Sequence, residues 1–401
     1  MPSRFYAARM REEDREADGG FVPHPPIHAA VGEHRLTVLA SGLDRWRALL
    51  DLIETAKSRI DLCFYIFATD AAGIAVRDAL TAAARRGVAV TVILDSFGAE
   101  AEEAFFAELC AAGGRYRCFS PRLTQRYLIR NHQKMVVADG QVAMFGGFNV
   151  EDGYFSDEGE DSWDDIGILI RGPAVGGLTD LFGRLVEWTS DKPPGFLRIR
   201  RTAREWEWSD GQLRWLIGGP SKNLSRWARC VSEDLRRGRR LHMIMAYFSP
   251  PNKLLRRVGR IAAQGEAQLV TAAKSDNGTT IAATRSLYDY LLRKRAHIWE
   301  FQPRKLHTKL IVLDDAVYLG SANFDVRSLY LNLELMLRVE DAAFAEQMRQ
   351  FVGRHIAASE RITAAVHKRR ASLWNRVRWN LGWVIVSVVD YTVTRKLNLG
   401  L

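Results

Sequence analysis

Leu43, Trp46, Leu49, Leu50 and Ile53 share one helical face and predict an amphipathic helix over residues 41–56. The unbroken apolar and aromatic run at 60–66 reads as a buried strand. A helix over 71–86 closes at Gly87, and a β-branched strand over 88–94 ends at Asp95. A helix over 100–112 precedes a strand over 115–119. Such alternation predicts α/β units with helices on both faces of a sheet. A strand starting at Met135 turns at Asp139-Gly140, returns over 142–145, and is followed by a strand over 166–170 and an amphipathic helix ending near Trp188. Residues 1–33 lack this patterning and read as an irregular arm.

The order then repeats. After the break at Asp191-Lys192-Pro193-Pro194-Gly195, an Arg- and Trp-rich stretch to residue 219 reads as a linker and first strand region. Beyond it the pattern predicts helix 224–235, strand 242–248, helix 252–263, strand 268–272, helix 281–294 and strand 297–301. A strand opening at Asn332-Leu333-Glu334 and a helix over 341–355 complete the set. This is duplication at domain scale, with domains at 34–190 and 220–358 and a tail at 359–401.

A chain of 401 residues is longer than one core usually supports, in agreement with two domains. Four cysteines without metal spacing argue against a disulfide scaffold and favour a reducing compartment. The mixed-charge N-terminus has no apolar h-region, so no secretory signal is expected, and no run approaches the roughly 20 apolar residues of a membrane span. The formal charge of +10 calls for an anionic partner, nucleic acid or acidic lipid. From residue 351 on, nine Lys or Arg face two acids, interleaved with Trp374, Trp379 and Trp383. That pattern suits an element in a lipid interface, or a helix docked on the protein's own core.

Within the repeat lies a smaller one. Asn131-His132-Gln133-Lys134 leads to Asp139 and then Gly146-Gly147-Phe148-Asn149; His307-Thr308-Lys309 leads to Asp314 and then Gly320-Ser321-Ala322-Asn323. Both copies have the form His-x-Lys-x4-Asp followed by a small pair and an Asn. Residues two apart on a strand point the same way, so each His and Lys share a face. Such a pair of motifs can perform phosphodiester chemistry without metal. One imidazole attacks phosphorus, the other protonates the leaving oxygen, and Lys134 and Lys309 balance charge. Asn149, Ser321 and Asn323 are placed to donate to phosphoryl oxygens. Asp165 and Glu334 each open the strand after their motif and are candidates to orient the imidazoles. Asp139 and Asp314 belong to the motif, yet their position at the far end of the strand favours turn and salt-bridge roles over catalytic ones. The acidic loop at 151–164 lacks calcium-loop spacing and reads as a solvated lid.

These residues resemble the phospholipase D superfamily, whose mark is two His-x-Lys-x4-Asp motifs in one chain. Over residues 36–357 the chain is more narrowly similar to bacterial cardiolipin synthases of that superfamily. Carrying this are Arg130-Asn131-His132-Gln133-Lys134-Met135, Trp163-x-Asp165, Gly172-Pro173-Ala174-Val175, Ala246-Tyr247-Phe248-Ser249-Pro250, Gln302-Pro303, Asp325-x-Arg327-Ser328 and Asn332-x-Glu334. The resemblance implies two α/β/α halves around a shared cleft, complete in one monomer, with no metal or nucleotide. It implies phosphatidyl transfer between two phosphatidylglycerol molecules at an anionic membrane surface, on the cytoplasmic face of a bacterial membrane and with no nucleic-acid partner. His132 would be the nucleophile and His307 the acid/base. A phospholipase D hydrolase and a nuclease of the same superfamily are the alternatives. Gly147 stands where many relatives have Ser. The second motif also has five residues between Asp and Gly against six in the first, which predicts a different hairpin turn.

Overall fold

The computed structural model describes residues 21–120, 129–159, 161–190 and 196–386. Most of the expected arm, Glu160 of the acidic loop, the break at 191–195 and the tail beyond 386 lie outside the described residues.

In the first half the elements are β1 (Ile27–Val31), β2 (His34–Leu39), α1 (Gly42–Thr55), β3 (Arg59–Phe64), α2 (Ala71–Arg85), β4 (Ala89–Asp95), α3 (Ala107–Ala111) and β5 (Arg115–Phe119). They are followed by β6 (Met135–Ala138), β7 (Val142–Gly146), β8 (Trp163–Asp164), β9 (Gly167–Arg171) and α4 (Ala174–Trp188). The second half opens with α5 (Phe196–Glu205), β10 (Trp208–Ser209), β11 (Leu213–Ile217), α6 (Arg226–Arg237), β12 (Arg240–Met245) and β13 (Phe248–Ser249). Next come α7 (Asn252–Gln264), β14 (Glu266–Ala272), α8 (Gly278–Ser286), α9 (Tyr288–Arg293), β15 (His297–Phe301), β16 (Lys305–Leu306), β17 (Lys309–Leu313) and β18 (Ala316–Gly320). The chain continues through β19 (Phe324–Asp325), α10 (Val326–Tyr330), β20 (Leu335–Glu340), α11 (Ala342–Ala357), β21 (Ser359–Ile362), α12 (Ala364–Arg370) and α13 (Leu373–Val384).

The first sheet has the order β1-β2-β9-β7-β6-β3-β4-β5, and the second β10-β11-β20-β18-β17-β12-β14-β15-β21. Position by position these are the same sheet, with β21 added at one edge. The duplication read from the sequence is therefore a duplication of topology. Side-chain caps fix where the principal helices begin: Ser41 accepts from Asp44 N, Asp70 from Gly73 N and Asp341 from Phe344 N.

Helices α4 and α11 pack between the two sheets. Their buried stripes, including Leu178, Leu181, Phe182 and Leu185 from α4 and Phe344, Met348, Phe351 and Val352 from α11, join one core built from both halves. Trp215 of β11 reaches across it, donating from its indole nitrogen to Ala174 O at 2.9 Å and packing edge-on against Phe145. The halves thus share a hydrophobic interior, which fixes the cleft between them.

Several boundaries differ from the sequence expectation. The arm boundary at residue 33 falls inside the β1–β2 hairpin, where Val31 pairs with His34. The stretch at 196–219 is no simple linker: it holds α5 and the two strands that open the second sheet, and its Trp208 and Trp215 press on Gly177, where a Cβ would meet Trp208 Cγ at 2.8 Å. The helix expected over 100–112 is a 3-10 turn, Glu103–Phe106, running into short α3, with no side-chain cap at Glu102. The helix expected over 281–294 starts earlier, because Asn277 caps Thr279 and Thr280, and it divides at Leu287. The acidic loop is tied across the halves rather than being a free lid: Asp157 accepts from Gly42 N and pairs with Arg304, and Asp161 pairs with Lys305 at 2.6 Å. The start of the expected tail belongs to the second domain, since β21 pairs with β15 and Arg370 bonds Glu300 and Glu360.

Candidate active site

Both histidine motifs stand where the parallel strands β3/β4 and β12/β14 end, at the junction of the two halves. His132 and His307 each precede an apolar strand, β6 or β17, that runs through the middle of its sheet. Backbone pairing between the halves positions both. Asn131 forms a parallel bridge with Leu333, and β16 pairs with β8 so that Leu306 lies against Asp164. In each case the residue before a histidine meets the residue before the other half's carboxylate. His132 N donates to Leu333 O at 2.9 Å, and His307 N to Asp164 O at 2.7 Å.

That register crosses the orienting pairs. His132 Nδ1 lies 3.0 Å from Glu334 Oε2, and His307 Nδ1 lies 2.6 Å from Asp165 Oδ2. Each half supplies a histidine and borrows its carboxylate. A carboxylate accepts only, so each imidazole carries its proton on Nδ1 and turns an unprotonated Nε2 away from its partner. Glu334 is further held by Ser321 Oγ, donating at 2.5 Å, and by Asn332. Asp165 Oδ1 accepts from Ile166 N, and its backbone carbonyl accepts from the fully buried Arg45, which also holds Tyr154 O.

Burial dominates the electrostatics. It pushes His132 down to about 4 against the pull of Glu334; it also takes His307 to about 4, with Lys309 acting in the same direction. Lys134 and Lys309 are fully buried and are pushed by burial to about 7 and about 8, against the attraction of Glu334 and Asp165. Each ammonium donates to the backbone carbonyl of the histidine two residues before it, Lys134 Nζ to His132 O at 2.8 Å and Lys309 Nζ to His307 O. Although burial alone would raise the Glu334 carboxyl, His132, Lys134 and Ser321 hold it below the ordinary carboxylate range. Tyr65 packs on His132 with ring centroids 4.9 Å apart, and Tyr154 and Trp163 meet His307 edge-on at 5.2 and 5.3 Å. The result is a buried cleft with two neutral imidazoles and two lysines that titrate near neutral pH.

The other motif residues divide. Asp139 and Asp314 take no part in the site. Each sits in a hairpin turn with φ of 54° and 51°, and its carboxylate accepts backbone N–H groups, from Lys57, Ser58 and Arg59 or from Arg239 and Arg240. Burial raises the Asp139 carboxyl, and these bonds together outweigh it and hold the group at about 2. Both acids tie the turn to the start of the neighbouring strand, at the end opposite the histidines. The one-residue difference in motif spacing is absorbed in these turns: Ala138 pairs with Val142 across the first and Leu313 with Ala316 across the second. Ser321 and Asn323 are therefore not displaced relative to Gly147 and Asn149.

Ser321 does not hold out a donor for phosphate, since its proton goes to Glu334 and its oxygen accepts from Leu335 N. It is a positioning residue. Gly147, its counterpart, lies against the other carboxylate, and a Cβ there would stand 2.6 Å from Asp165 Oδ1. Asn149 is braced by Ile66 N and the Tyr154 hydroxyl, whereas Asn323 Oδ1 is buried without a hydrogen-bond partner among the described residues. Sequence reasoning missed Tyr65, Tyr154, Arg45 and Asp95, whose Oδ2 accepts from Asn131 N at 2.7 Å. Of these, only the charges of Arg45 and Asp95 inside apolar patterns offered a signal.

Residues 49–180 and 233–356 match the family model described as "Cardiolipin synthase, PLD-like domain". The chain belongs to this family. It is 31% identical over 338 residues to a cardiolipin synthase of Geobacillus thermodenitrificans, an alignment that covers 78% of this chain and 66% of that protein. It is 28% identical over 325 residues to a cardiolipin synthase B of Salmonella typhimurium, 79% of each chain. Among solved structures, a phosphatidylserine synthase from Haemophilus influenzae superposes with a TM-score of 0.69 over 96% of this chain and 100% of that one, at 13% identity. That likeness establishes the fold, and the two segments matched by the family model mark its halves as phospholipase D-like. Family and relatives together make the chain a phosphatidyltransferase of the cardiolipin synthase group.

Proposed function

We propose that the protein joins two phosphatidylglycerol molecules into cardiolipin and glycerol through a phosphohistidine, working on the cytoplasmic face of a bacterial membrane. The observation that carries this is the crossed clamp: two imidazoles, each with Nδ1 fixed by the other half's carboxylate, above two buried lysines.

In the first step His132 Nε2 attacks phosphorus, and the bond to the headgroup glycerol oxygen breaks. His307 delivers a proton to that oxygen, and glycerol leaves. The negative charge of the bound phosphodiester raises the His307 pKa, so that the imidazole holds a second proton when acid is needed. Lys134 and Lys309 offset the phosphoryl charge, and Asn149 and Asn323 border it. In the second step His307 removes a proton from the headgroup hydroxyl of a second phosphatidylglycerol. That oxygen attacks phosphorus, the P–N bond breaks, and His132 is regenerated. Protein groups handle every proton and charge in this scheme. The assignment of His132 as nucleophile rests on the resemblance, since the geometry is nearly two-fold. The Tyr154 and Trp163 rings pack against His307, which is 6% exposed, so bulk water has little access to it.

Incubating the purified protein with phosphatidylglycerol vesicles and resolving the products tests this. Cardiolipin and glycerol in equal amounts are expected. Phosphatidic acid as the sole lipid product would assign the site to hydrolysis, and cleavage of DNA with no lipid turnover would make it a nuclease.

A further inference from the structure

Among the described residues no helix is long and apolar enough to cross a membrane, yet the proposed substrate resides in one. Helix α13 has two opposite faces. Trp379 and Gly382 are buried, and Asn375 and Trp383 half-buried, on the side that docks against the second domain. There Trp379 stacks on His367 of α12 with ring centroids 5.1 Å apart, and a Cβ on Gly382 would meet Ala282 Cβ at 2.9 Å and Thr279 O at 3.1 Å. At 100° per residue, Leu373, Trp374, Val377, Leu381, Val384 and Ile385 fall within a third of a turn on the other side. They are 80, 83, 52, 56, 38 and 44% exposed. A soluble helix does not ordinarily offer solvent its apolar stripe. Exposed Arg376 and Arg378 flank this one, and exposed Lys368 and Arg369 precede it in α12. An apolar stripe with Trp, bordered by cations, is the chemistry of a helix lying in an anionic lipid interface.

The placement of α13 connects this face to the cleft. Gly382 presses on the first turn of α8, and just before α8 comes Asp276, which accepts from the Tyr247 hydroxyl at 2.9 Å and whose charge reaches Lys309. On the other side of the cleft, the loop after β4 carries Phe97, which is 55% exposed, with the Arg130 guanidinium 4.1 Å from its ring centroid. Asp95 ties that loop to the His132 segment, accepting from both Phe97 N and Asn131 N. The loops after β4 and β14 are equivalent in the two sheets, so Phe97 and the α8–α13 corner occupy matching places in the two halves, each tied to its own side of the cleft.

We infer that the exposed face of α13, aided by Phe97 of the other half, seats the protein on an anionic bilayer with the cleft mouth toward the lipid. This deepens the proposed lipid transfer and depends on it only for the substrate.

The test compares full-length protein with a Trp374→Ser/Val377→Asp/Leu381→Asp variant, whose changes leave the docked face of α13 intact. Co-sedimentation with vesicles of phosphatidylglycerol and phosphatidylcholine should weaken at least a hundredfold, since each large apolar side chain withdrawn from lipid is worth about tenfold. Turnover of a short-chain phosphatidylglycerol below its micellar concentration should stay within twofold. Binding of the parent should also fall as salt rises or as the anionic lipid is removed. Shallow-brominated lipids should quench parent fluorescence, and Trp374→Phe should lose part of that quenching. Unchanged vesicle binding by the triple variant would overturn the inference. So would a parent dimer that the variant converts to monomer with vesicle binding retained, since the stripe would then be a self-association face. Loss of short-chain turnover by the variant would overturn it too, whereas short-chain inactivity of the parent would instead fault the lipid-transfer reading.

Discussion

Replacing Glu334 by Gln weakens the crossed clamp at one of its two carboxylates. Glu334 belongs to the second domain and His132 to the first, so the change leaves the nucleophile's own strand untouched. At 3.0 Å a carboxylate attracts the charge developing on the imidazole by about 5.5 kcal/mol at an effective dielectric of ~20, an upper bound. The lower bound is one charge-assisted hydrogen bond, about 2 kcal/mol. Between them lies a loss of roughly thirty- to ten-thousandfold in the first-step rate. Gln preserves shape, and Ser321 and Asn332 still contact the group, so the melting temperature should move little. The assay is rapid-quench release of labelled glycerol from phosphatidylglycerol vesicles, with the Nδ1 tautomer of His132 followed by nitrogen NMR. A Glu334→Gln protein that releases glycerol within threefold of the parent rate, with the same tautomer, would refute the claim that the partner half fixes His132.

Further outcomes follow from the same geometry. His132 and His307, pushed down to about 4 from 6.5, bind protons more readily when unfolded, so the penalty they impose on the fold should be absent above pH 6.5 and grow as the pH drops toward 4, to roughly 3 kcal/mol per histidine; urea melts at pH 7 and 4.5 would show this, and a His132→Asn/His307→Asn protein with an equally steep loss would contradict it. Gly147→Ala should lower turnover at least tenfold by driving a methyl against Asp165, measurable as kcat with KM nearly unchanged. Asp139→Ala should leave kcat within about threefold while lowering the urea midpoint, because it removes backbone caps at the far end of the strand. Protonated Lys134 and Lys309 serve the chemistry, so kcat/KM should decline as the pH rises through about 7 to 8 in the free enzyme.

Much of this arrangement was legible in the sequence because it was written twice. Alternation of apolar runs with amphipathic stretches marked most strands and helices, and the repeated His-x-Lys pair marked the cleft. Asp165 and Glu334 were identifiable from their place before equivalent strands, but which histidine each would serve was not, because that depends on the pairing of Asn131 with Leu333 and Leu306 with Asp164 across the halves. Ser321 looked like a phosphate donor; only the 2.5 Å bond to Glu334 shows where its proton goes. Residues 27–31 escaped notice as a strand because pairing with β2, rather than strong alternation, holds them in the sheet. For the tail the sequence offered two readings; α13 docks by Trp379 and Gly382, and the lipid-interface reading rests on the opposite stripe that it leaves exposed.

Trapping the covalent intermediate tests the phosphohistidine most directly. A p-nitrophenyl phosphatidate needs no acid to lose its leaving group, so a His307→Ala protein should load at His132 and stall for want of a base. Mass spectrometry under alkaline quench should then find close to one phosphatidyl group per chain on the peptide containing His132, and none in His132→Ala. Label on His307 in the His132→Ala protein would reverse the assigned roles, and the absence of label from both would contradict a phosphohistidine altogether.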